Sequence, residues 1–166
     1  MKKFDMLVKL YELPQFQTEN ATLQANGITI RRPMGNDKDK VIDFIKTNFS
    51  TVWANECEVS FYNTPFSCFA AVKNNEEIIG FACYDASGRN FFGPIGVKED
   101  YRGYGLGKEL LLRSVYAIRE QGYAYCIIGM VAEKNIAFYQ KTVGAIEIPD
   151  SYPGAYKDTI GIESWE

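Results

Sequence analysis

The sequence contains no histidine, and this absence excludes several kinds of site at once. Without an imidazole there is no Ser–His or Cys–His pair to activate a nucleophile. The four cysteines contain no Cys-x-x-Cys pair, so we expect no zinc site and no other metal site. We interpret Cys68, Cys83 and Cys126, which lie in apolar runs, as inert buried thiols. Any acid–base chemistry must therefore use a carboxylate, a tyrosine, a lysine or water.

Long apolar runs and an excess of positive charge are also missing. No apolar run approaches the ~20 residues that span a bilayer, so we expect no transmembrane helix and no membrane partner. The net charge of −3 and the pI of about 5.2 argue against nucleic acid as a partner, because a phosphate backbone takes clustered lysine and arginine. The first residues, MKKFDMLVKLYELP, lack a long apolar core and a cleavage site, so we expect a cytoplasmic protein.

The 166 residues match the usual size of one domain, and no repeat or linker divides them. Residues 1–26 are predicted to form an N-terminal arm or edge strand, packed on a single domain over residues 27–166. Apolar runs and turn signals predict the order β-α-(α)-β-β-β-α-β-α-β-β, in which residues 51–63 are ambiguous between helix and loop. The last two strands are predicted over residues 145–150 and 156–163. This order favours a mixed α/β sandwich with one large sheet.

The stretch VKEDYRGYGLGK, from Val97 to Lys108, combines three alternating glycines with an arginine and a lysine, and an amphipathic helical pattern follows it. A glycine turn that opens a helix exposes free N–H groups at the positive end of the helix dipole, which suits a phosphate. Glycine accepts a positive φ and lets phosphate oxygens approach the backbone without meeting a Cβ. The alternative is an ordinary strand-to-helix turn that uses glycine for its geometry alone.

Two other phosphate motifs fit this stretch poorly. A P-loop requires Ser or Thr after Gly-Lys, but Glu109 follows Lys108, so the hydroxyl that would bind magnesium is missing. A dinucleotide-binding fingerprint requires Gly-x-Gly-x-x-Gly in a first βαβ unit. Here the spacing is Gly-x-Gly-x-Gly, and it comes late in the chain, after a predicted hairpin.

RGYGLG, from Arg102 to Gly107, resembles the Arg/Gln-x-x-Gly-x-Gly/Ala signature of the GNAT superfamily of acyl-CoA N-acyltransferases. Downstream, NIAFYQKTVGA, from Asn135 to Ala145, resembles the second signature of the same family. The two motifs lie about 30 residues apart with a helix and a strand between them, and the resemblance spans roughly residues 27–156. It implies an α/β (α+β) fold with a mostly antiparallel sheet of six to seven strands and about four helices. The sheet would splay between the strands before and after the long central helix.

The resemblance also implies acetyl-CoA as co-substrate and no metal. Coenzyme A pyrophosphate would lie on the amides of the glycine turn, and the pantetheine arm would pair with the strand before it. The implied cofactor-binding residues are Ile95, Gly96, Val97, Arg102, Gly103, Tyr104, Gly105, Leu106, Gly107, Lys108, Asn135 and Phe138.

Acetyl transfer from a thioester to an amine requires a base, an oxyanion site and an acid for the departing thiolate. Tyr139 matches the tyrosine that serves as general acid in this family, and backbone N–H near Val97 would serve the oxyanion. Because phenol and thiol have similar pKa values, of about 10 and 8.5, a phenol can transfer its proton to a departing thiolate. The alternative for Tyr139 is a core aromatic. For the base, acting through water, Glu58 is preferred over Glu56, Asp85 and Asp150, since its apolar neighbours would raise its pKa.

The segment STVWANECEVSFYNTPF is predicted to build the acceptor site, with Trp53, Glu56 and Asp85 as tentative substrate-binding residues. Flat rings and carboxylates suit a primary amine of a small molecule, such as the amino sugar glucosamine, and the segment resembles a glucosamine/glucosaminide N-acetyltransferase subgroup. The alternatives are a protein or peptide N-acetyltransferase and a non-catalytic acyl-CoA-binding module. Because many relatives dimerise, a homodimer is a further expectation.

Overall fold

The computed structural model describes residues 3–162, which form one seven-stranded sheet in the order β2-β3-β4-β5-β6-β1-β7. Neighbouring strands are antiparallel except β5 and β6, which are parallel. The predicted α/β class and the mostly antiparallel sheet are therefore confirmed. The strands are β1 Lys3–Lys9, β2 Ile28–Arg31, β3 Cys68–Lys73, β4 Glu77–Tyr84, β5 Phe91–Val97, β6 Tyr125–Ala132 and β7 Ile146–Glu147.

Five α-helices accompany the sheet in the described part of the chain. They are α1 Ala21–Ala25, α2 Lys38–Asn48, α3 Thr51–Ser60, α4 Leu106–Glu120 and α5 Ile136–Val143. The ambiguous segment is thus helical, and Ser50 caps it by accepting a hydrogen bond from the Trp53 N–H at 3.1 Å. Within residues 3–162, no helix has the length and apolar character that a bilayer crossing requires.

The two faces of the sheet carry separate apolar cores. Phe81 and Cys83 of β4 pack with α2 and α3, whereas Ala82 and Tyr84 belong to the core that contains α4. This division follows from the alternation of side chains along a strand. Four positions of α4 are fully buried: Leu110, Leu111, Val115 and Ile118. Each such side chain contributes ~1.5–3 kcal/mol of burial free energy, so α4 is fixed firmly against the sheet.

The parallel pair β5 and β6 separates after a short contact. Only Phe91 and Phe92 pair with β6, opposite Ile127 and Ile128. The next residues of β5 are Gly93 and Pro94, and proline has no N–H with which to continue a ladder. The expected splay between the strands flanking the long helix is present.

Strand β1 lies between β6 and β7, second from the edge of the sheet, and this position differs from the predicted edge strand or arm. Its pairing with β6 is interrupted between Phe4 and Met6, where Asp5 is buried. Asp5 Oδ1 accepts a hydrogen bond from the Met130 N–H at 3.0 Å, and Met130 has a φ of +55°. Burial raises the pKa of Asp5. Asp5 therefore stabilises the irregular part of β6 that borders the splay.

The predicted final strand pair is only partly formed. β7 contains two residues and pairs with β1 at Met6 and Leu7. The predicted strand over residues 156–163 is wrong in its described part, because residues 157–162 form turns after the 3-10 helix Gly154–Tyr156. Glu163 lies outside the described residues.

Candidate active site

The glycine turn enters α4 through two residues with left-handed backbone. Gly103 has a φ of +94° and Gly105 a φ of +77°, conformations that L side chains rarely adopt. A Cβ added at either position would meet no atom within 4 Å, so the space in front of both is open. Gly105 occupies the N-cap position of α4, and no side chain caps the helix there. The turn is therefore shaped by its glycines and stays accessible.

The first amides of α4 are without acceptors. Within residues 3–162, no hydrogen bond satisfies the N–H groups from Gly103 to Lys108, and the first paired amide is Glu109, which donates to the Gly105 carbonyl at 3.1 Å. Such a bare helix start binds an anion well. Arg102, Tyr104 and Lys108 of the predicted set are exposed around it, whereas Leu106 is buried and anchors the turn.

The second predicted motif lies beside this turn. Phe138 on α5 is 36% exposed, and its ring lies 3.7 Å from where a Gly107 Cβ would be. Asn135, the residue before α5, is exposed, and its side chain does not cap the helix. Both residues are thus free to contact a ligand that leaves the turn towards β5.

The unpaired part of β5 presents backbone groups to the splay. Lys98 N–H donates to the Ile79 carbonyl of β4 at 2.8 Å. Because hydrogen-bonding groups alternate in direction along a strand, those of Ile95 and Val97 point away from β4, towards the gap. Gly96 has a packing role, since a Cβ there would lie 2.5 Å from the Phe49 ring.

A cavity of about 510 Å³ occupies the gap between β5 and β6. It brings together five of the predicted site residues, from three different elements and one element boundary. These are Trp53, Glu56, Ile95, Asn135 and Tyr139. The cavity therefore joins the cofactor motifs to the segment predicted to bind the acceptor.

Tyr139 lies at the wall of this cavity and is 7% exposed. Its ring packs edge-on against Phe92 at 6.3 Å and contacts Phe138 at 5.1 Å. Burial raises the pKa of Tyr139 well above its usual value. The phenol is therefore protonated at every ordinary working pH, and it can act as a hydrogen-bond donor or acid.

Glu56 supplies the carboxylate of the cavity. It accepts a hydrogen bond from Ser87 Oγ at 2.9 Å. Burial raises its pKa, and the Ser87 hydrogen bond opposes that shift. A carboxylate with a raised pKa is a stronger base than an exposed one, which suits it to proton removal near neutral pH.

Ser87 and Tyr156 complete this wall and were not predicted from the sequence. Burial raises the pKa of Tyr156 to about 12, and a hydrogen bond with Ser87 acts in the opposite direction. Tyr156 packs edge-on against Phe91 at 6.3 Å, and a Cβ at Gly129 would lie 2.2 Å from its hydroxyl. The reason for a glycine at position 129 is visible only in the structure, because Gly129 and Tyr156 are distant in sequence.

Glu58 and Asp85 lie outside the residues that line the cavity. Glu58 pairs with Lys38 at 3.0 Å, on another face of α3 than Glu56. Asp85 Oδ1 accepts the Asn90 N–H at 2.7 Å and holds the loop between β4 and β5. The structure therefore gives both carboxylates roles in packing and loop geometry.

The splayed sheet, the open glycine turn and the cavity between them define an acyltransferase architecture. The acetyltransferase (GNAT) family model matches residues 38–145, and the chain belongs to this family. The sequence finds no match among curated proteins.

Solved structures with the same fold include a GCN5-related glucosamine N-acetyltransferase region in a fungal multi-domain GH3 beta-N-acetylglucosaminidase, with a TM-score of 0.69 and 15% identity. The match covers 88% of this chain and 20% of that one. A GCN5-related N-acetyltransferase from Sphaerobacter thermophilus has a TM-score of 0.67 and 18% identity over 88% of this chain and 48% of that one. The chain thus spans half or less of the length of these relatives, and the likeness shows the fold.

The residues present fit the coenzyme A that this family uses. The fit rests on the bare amides from Gly103 to Lys108 and on the open space where Cβ atoms would stand at Gly103 and Gly105. Bound there, the co-substrate would supply an activated thioester. The protein's own part is to hold the diphosphate, orient the arm along β5 and manage protons in the cavity.

Proposed function

We propose that the protein is an acetyl-CoA-dependent N-acetyltransferase acting on a primary amine of a small molecule. The observation that carries this proposal is that Tyr139, the predicted acid, and Glu56, a carboxylate with a raised pKa, line the same cavity. An acid and a base in one cavity are what direct transfer from a thioester to an ammonium requires.

In the proposed reaction, Glu56 removes a proton from the acceptor ammonium, directly or through water. The neutral amine then attacks the thioester carbonyl, and backbone N–H near Val97 stabilises the oxyanion. Tyr139 donates its proton to the departing sulfur. Burial raises the pKa of Tyr139, so the phenol keeps its proton until the thiolate has formed.

A small acceptor is favoured over a peptide by the aromatic rings that line the cavity. Tyr156 lies across β6 at Gly129, and Trp53 packs against Phe49 and Phe81 at 5.6 and 6.2 Å. These rings limit the space beside the thioester. Phe61 and Phe66, from the segment predicted to build the acceptor site, contact each other at 5.2 Å outside the cavity lining.

An amino sugar fits the polar wall of the cavity. Glu56 would hold the ammonium, and the hydroxyls of Ser87 and Tyr156 would exchange hydrogen bonds with sugar hydroxyls. The name of the fungal relative, a glucosamine N-acetyltransferase region, agrees with this choice. A cytoplasmic location and a homodimer stay predictions from the sequence.

The function is tested by supplying acetyl-CoA with glucosamine, a polyamine or a peptide, and following the release of free thiol. We expect turnover with small amines, highest for glucosamine, and none with the peptide. Turnover with the peptide alone would identify a protein N-acetyltransferase. Binding of coenzyme A without turnover on any amine would identify a non-catalytic binding module.

The base assignment predicts a difference between two neighbouring carboxylates. Glu56→Gln is expected to lower kcat/KM by about 10²-fold or more, because a positioned base contributes ~10²–10⁴-fold. Since burial raises the pKa of Glu56, wild-type activity should rise with pH through a midpoint above that of an ordinary glutamate. The variant should lose this limb of the pH–rate profile.

Glu58→Gln is the matched control, since Glu58 lies on the same helix but pairs with Lys38 outside the cavity lining. It should keep the rate and the pH profile within about twofold. If Glu58→Gln shows the larger loss, the base assigned from the structure is wrong and Glu58 takes its place.

A further inference from the structure

Three of the four cysteines meet in the core beneath α3. Cys57 comes from α3, Cys68 from β3 and Cys83 from β4, and each is fully buried. Their sulfur atoms all lie within 4.8 Å of one another, and the shortest distance, from Cys57 Sγ to Cys68 Sγ, is 3.8 Å. All three are free thiols. The three cysteines are far apart in the sequence, so their spacing did not indicate a cluster.

These distances are close to those of a metal site with sulfur ligands. Bonds of about 2.3 Å from one ion to each sulfur place the sulfur atoms about 3.8–4.0 Å apart, whether the arrangement is tetrahedral or trigonal. Small side-chain rotations would therefore close the cluster around an ion without a change of the backbone.

A hydroxyl group lies beside these thiols. Ser60 Oγ lies 4.0 Å from Cys57 Sγ, and Ser60 is fully buried. The Ser60 hydroxyl donates its hydrogen to the Cys57 carbonyl oxygen at 2.5 Å. Because its hydrogen is used there, the lone pairs of the oxygen are free to face the three sulfurs.

The apolar surroundings of the cluster favour an ion of higher charge. The side chains that pack around the cluster, such as Val41, Ile45, Ala54 and Phe81, are apolar. Three thiolates with a monovalent ion would bury two negative charges there, and a divalent ion leaves one, which costs less. Thiolate ligands prefer soft ions, so Zn²⁺ and Cd²⁺ fit better than Mg²⁺ or Ca²⁺.

We propose that Cys57, Cys68, Cys83 and Ser60 form a binding site for one soft divalent cation, of which Zn²⁺ is the common biological example. Binding converts three thiols to thiolates, so one M²⁺ enters and three protons leave, and the serine binds as the neutral alcohol. The site is independent of the proposed transferase activity. The sequence predicts that Cys68 and Cys83 are inert, and a metal titration decides between that prediction and this site.

The test is a titration of the reduced full-length protein with Cd²⁺. We expect one equivalent to bind, a thiolate-to-metal absorption band in the near ultraviolet, and release of about three protons per ion in weak buffer. Zn²⁺ should compete for the same site and raise the thermal midpoint of unfolding. Cys57→Ala and Cys83→Ala should each weaken binding at least about tenfold, as loss of even a supporting group does at metal sites.

Cys126→Ala is the matched control, because Cys126 is equally buried but lies outside the cluster. It should bind Cd²⁺ as the wild type does, and circular dichroism would show whether each variant is folded. The proposal is overturned if the wild type gives no band and releases no protons, a result that needs no variant. It is equally overturned if the band persists in folded Cys57→Ala and Cys83→Ala, or disappears in Cys126→Ala.

Discussion

Replacing Gly105 by alanine is expected to weaken coenzyme A binding by at least about tenfold, which corresponds to ~1.4 kcal/mol. Two effects combine in this variant. At a φ of +77°, a residue with a Cβ is strained by about 1–3 kcal/mol, so the bare amides lose their arrangement. The added methyl group would also occupy the open space in which a phosphate oxygen approaches the backbone. Isothermal titration with coenzyme A measures the change.

Gly122→Ala is the matched control for the general cost of placing a Cβ at a positive φ. Gly122 follows the other end of α4, has a φ of +98°, and likewise faces open space. Both variants should therefore lose a similar amount of stability on thermal unfolding, but only Gly105→Ala should lose affinity for coenzyme A. Equal affinity in the two variants would mean that the diphosphate does not dock on the start of α4.

Tyr139→Phe is expected to lower kcat by about 10²–10⁴-fold, the range that a positioned acid contributes. The ring remains and keeps its contacts with Phe92 and Phe138, so the KM for acetyl-CoA and the unfolding temperature should change little. Burial raises the pKa of Tyr139, so the proton stays on the phenol as the pH rises. The wild type should therefore show no alkaline loss of rate from this group below pH ~10, the usual tyrosine value.

The control for this prediction is Tyr116→Phe. The Tyr116 hydroxyl donates to the Pro14 carbonyl at 2.6 Å on the outer side of α4, remote from the cavity lining. This variant should retain the wild-type rate. Full activity of Tyr139→Phe at all pH values would show that another group, or water, protonates the thiolate.

The open glycine turn before α4 could be predicted from the sequence, because its geometry depends on residues that are adjacent in the chain. A helix start that stays bare needs residues with positive φ, and glycine at positions 103 and 105 leaves a visible pattern. The length and inward face of α4 follow equally from its periodicity, as Leu110 and Leu111 show.

The acceptor side was not readable in the same way because it depends on tertiary placement. Glu56 and Glu58 differ by two positions, and only the docking of α3 decides which of them faces the cavity. Ser87 comes from the loop between β4 and β5, and Tyr156 from the 3-10 helix Gly154–Tyr156, with no local pattern to mark either. The meeting of Cys57 with Cys68 likewise depends on how α3 crosses the sheet.

The interior position of β1 has a consequence for how the protein folds during synthesis. β1 pairs with β6, so Lys3 lies opposite Ala132, although most of the sequence separates the two residues. During synthesis β1 therefore waits, with Met6 and Val8 uncovered, until β6 has been made. Contacts this distant in sequence slow folding and leave apolar strands open to association with other chains. The gap that is proposed to receive the thioester thus becomes complete only when β1 has paired with β6.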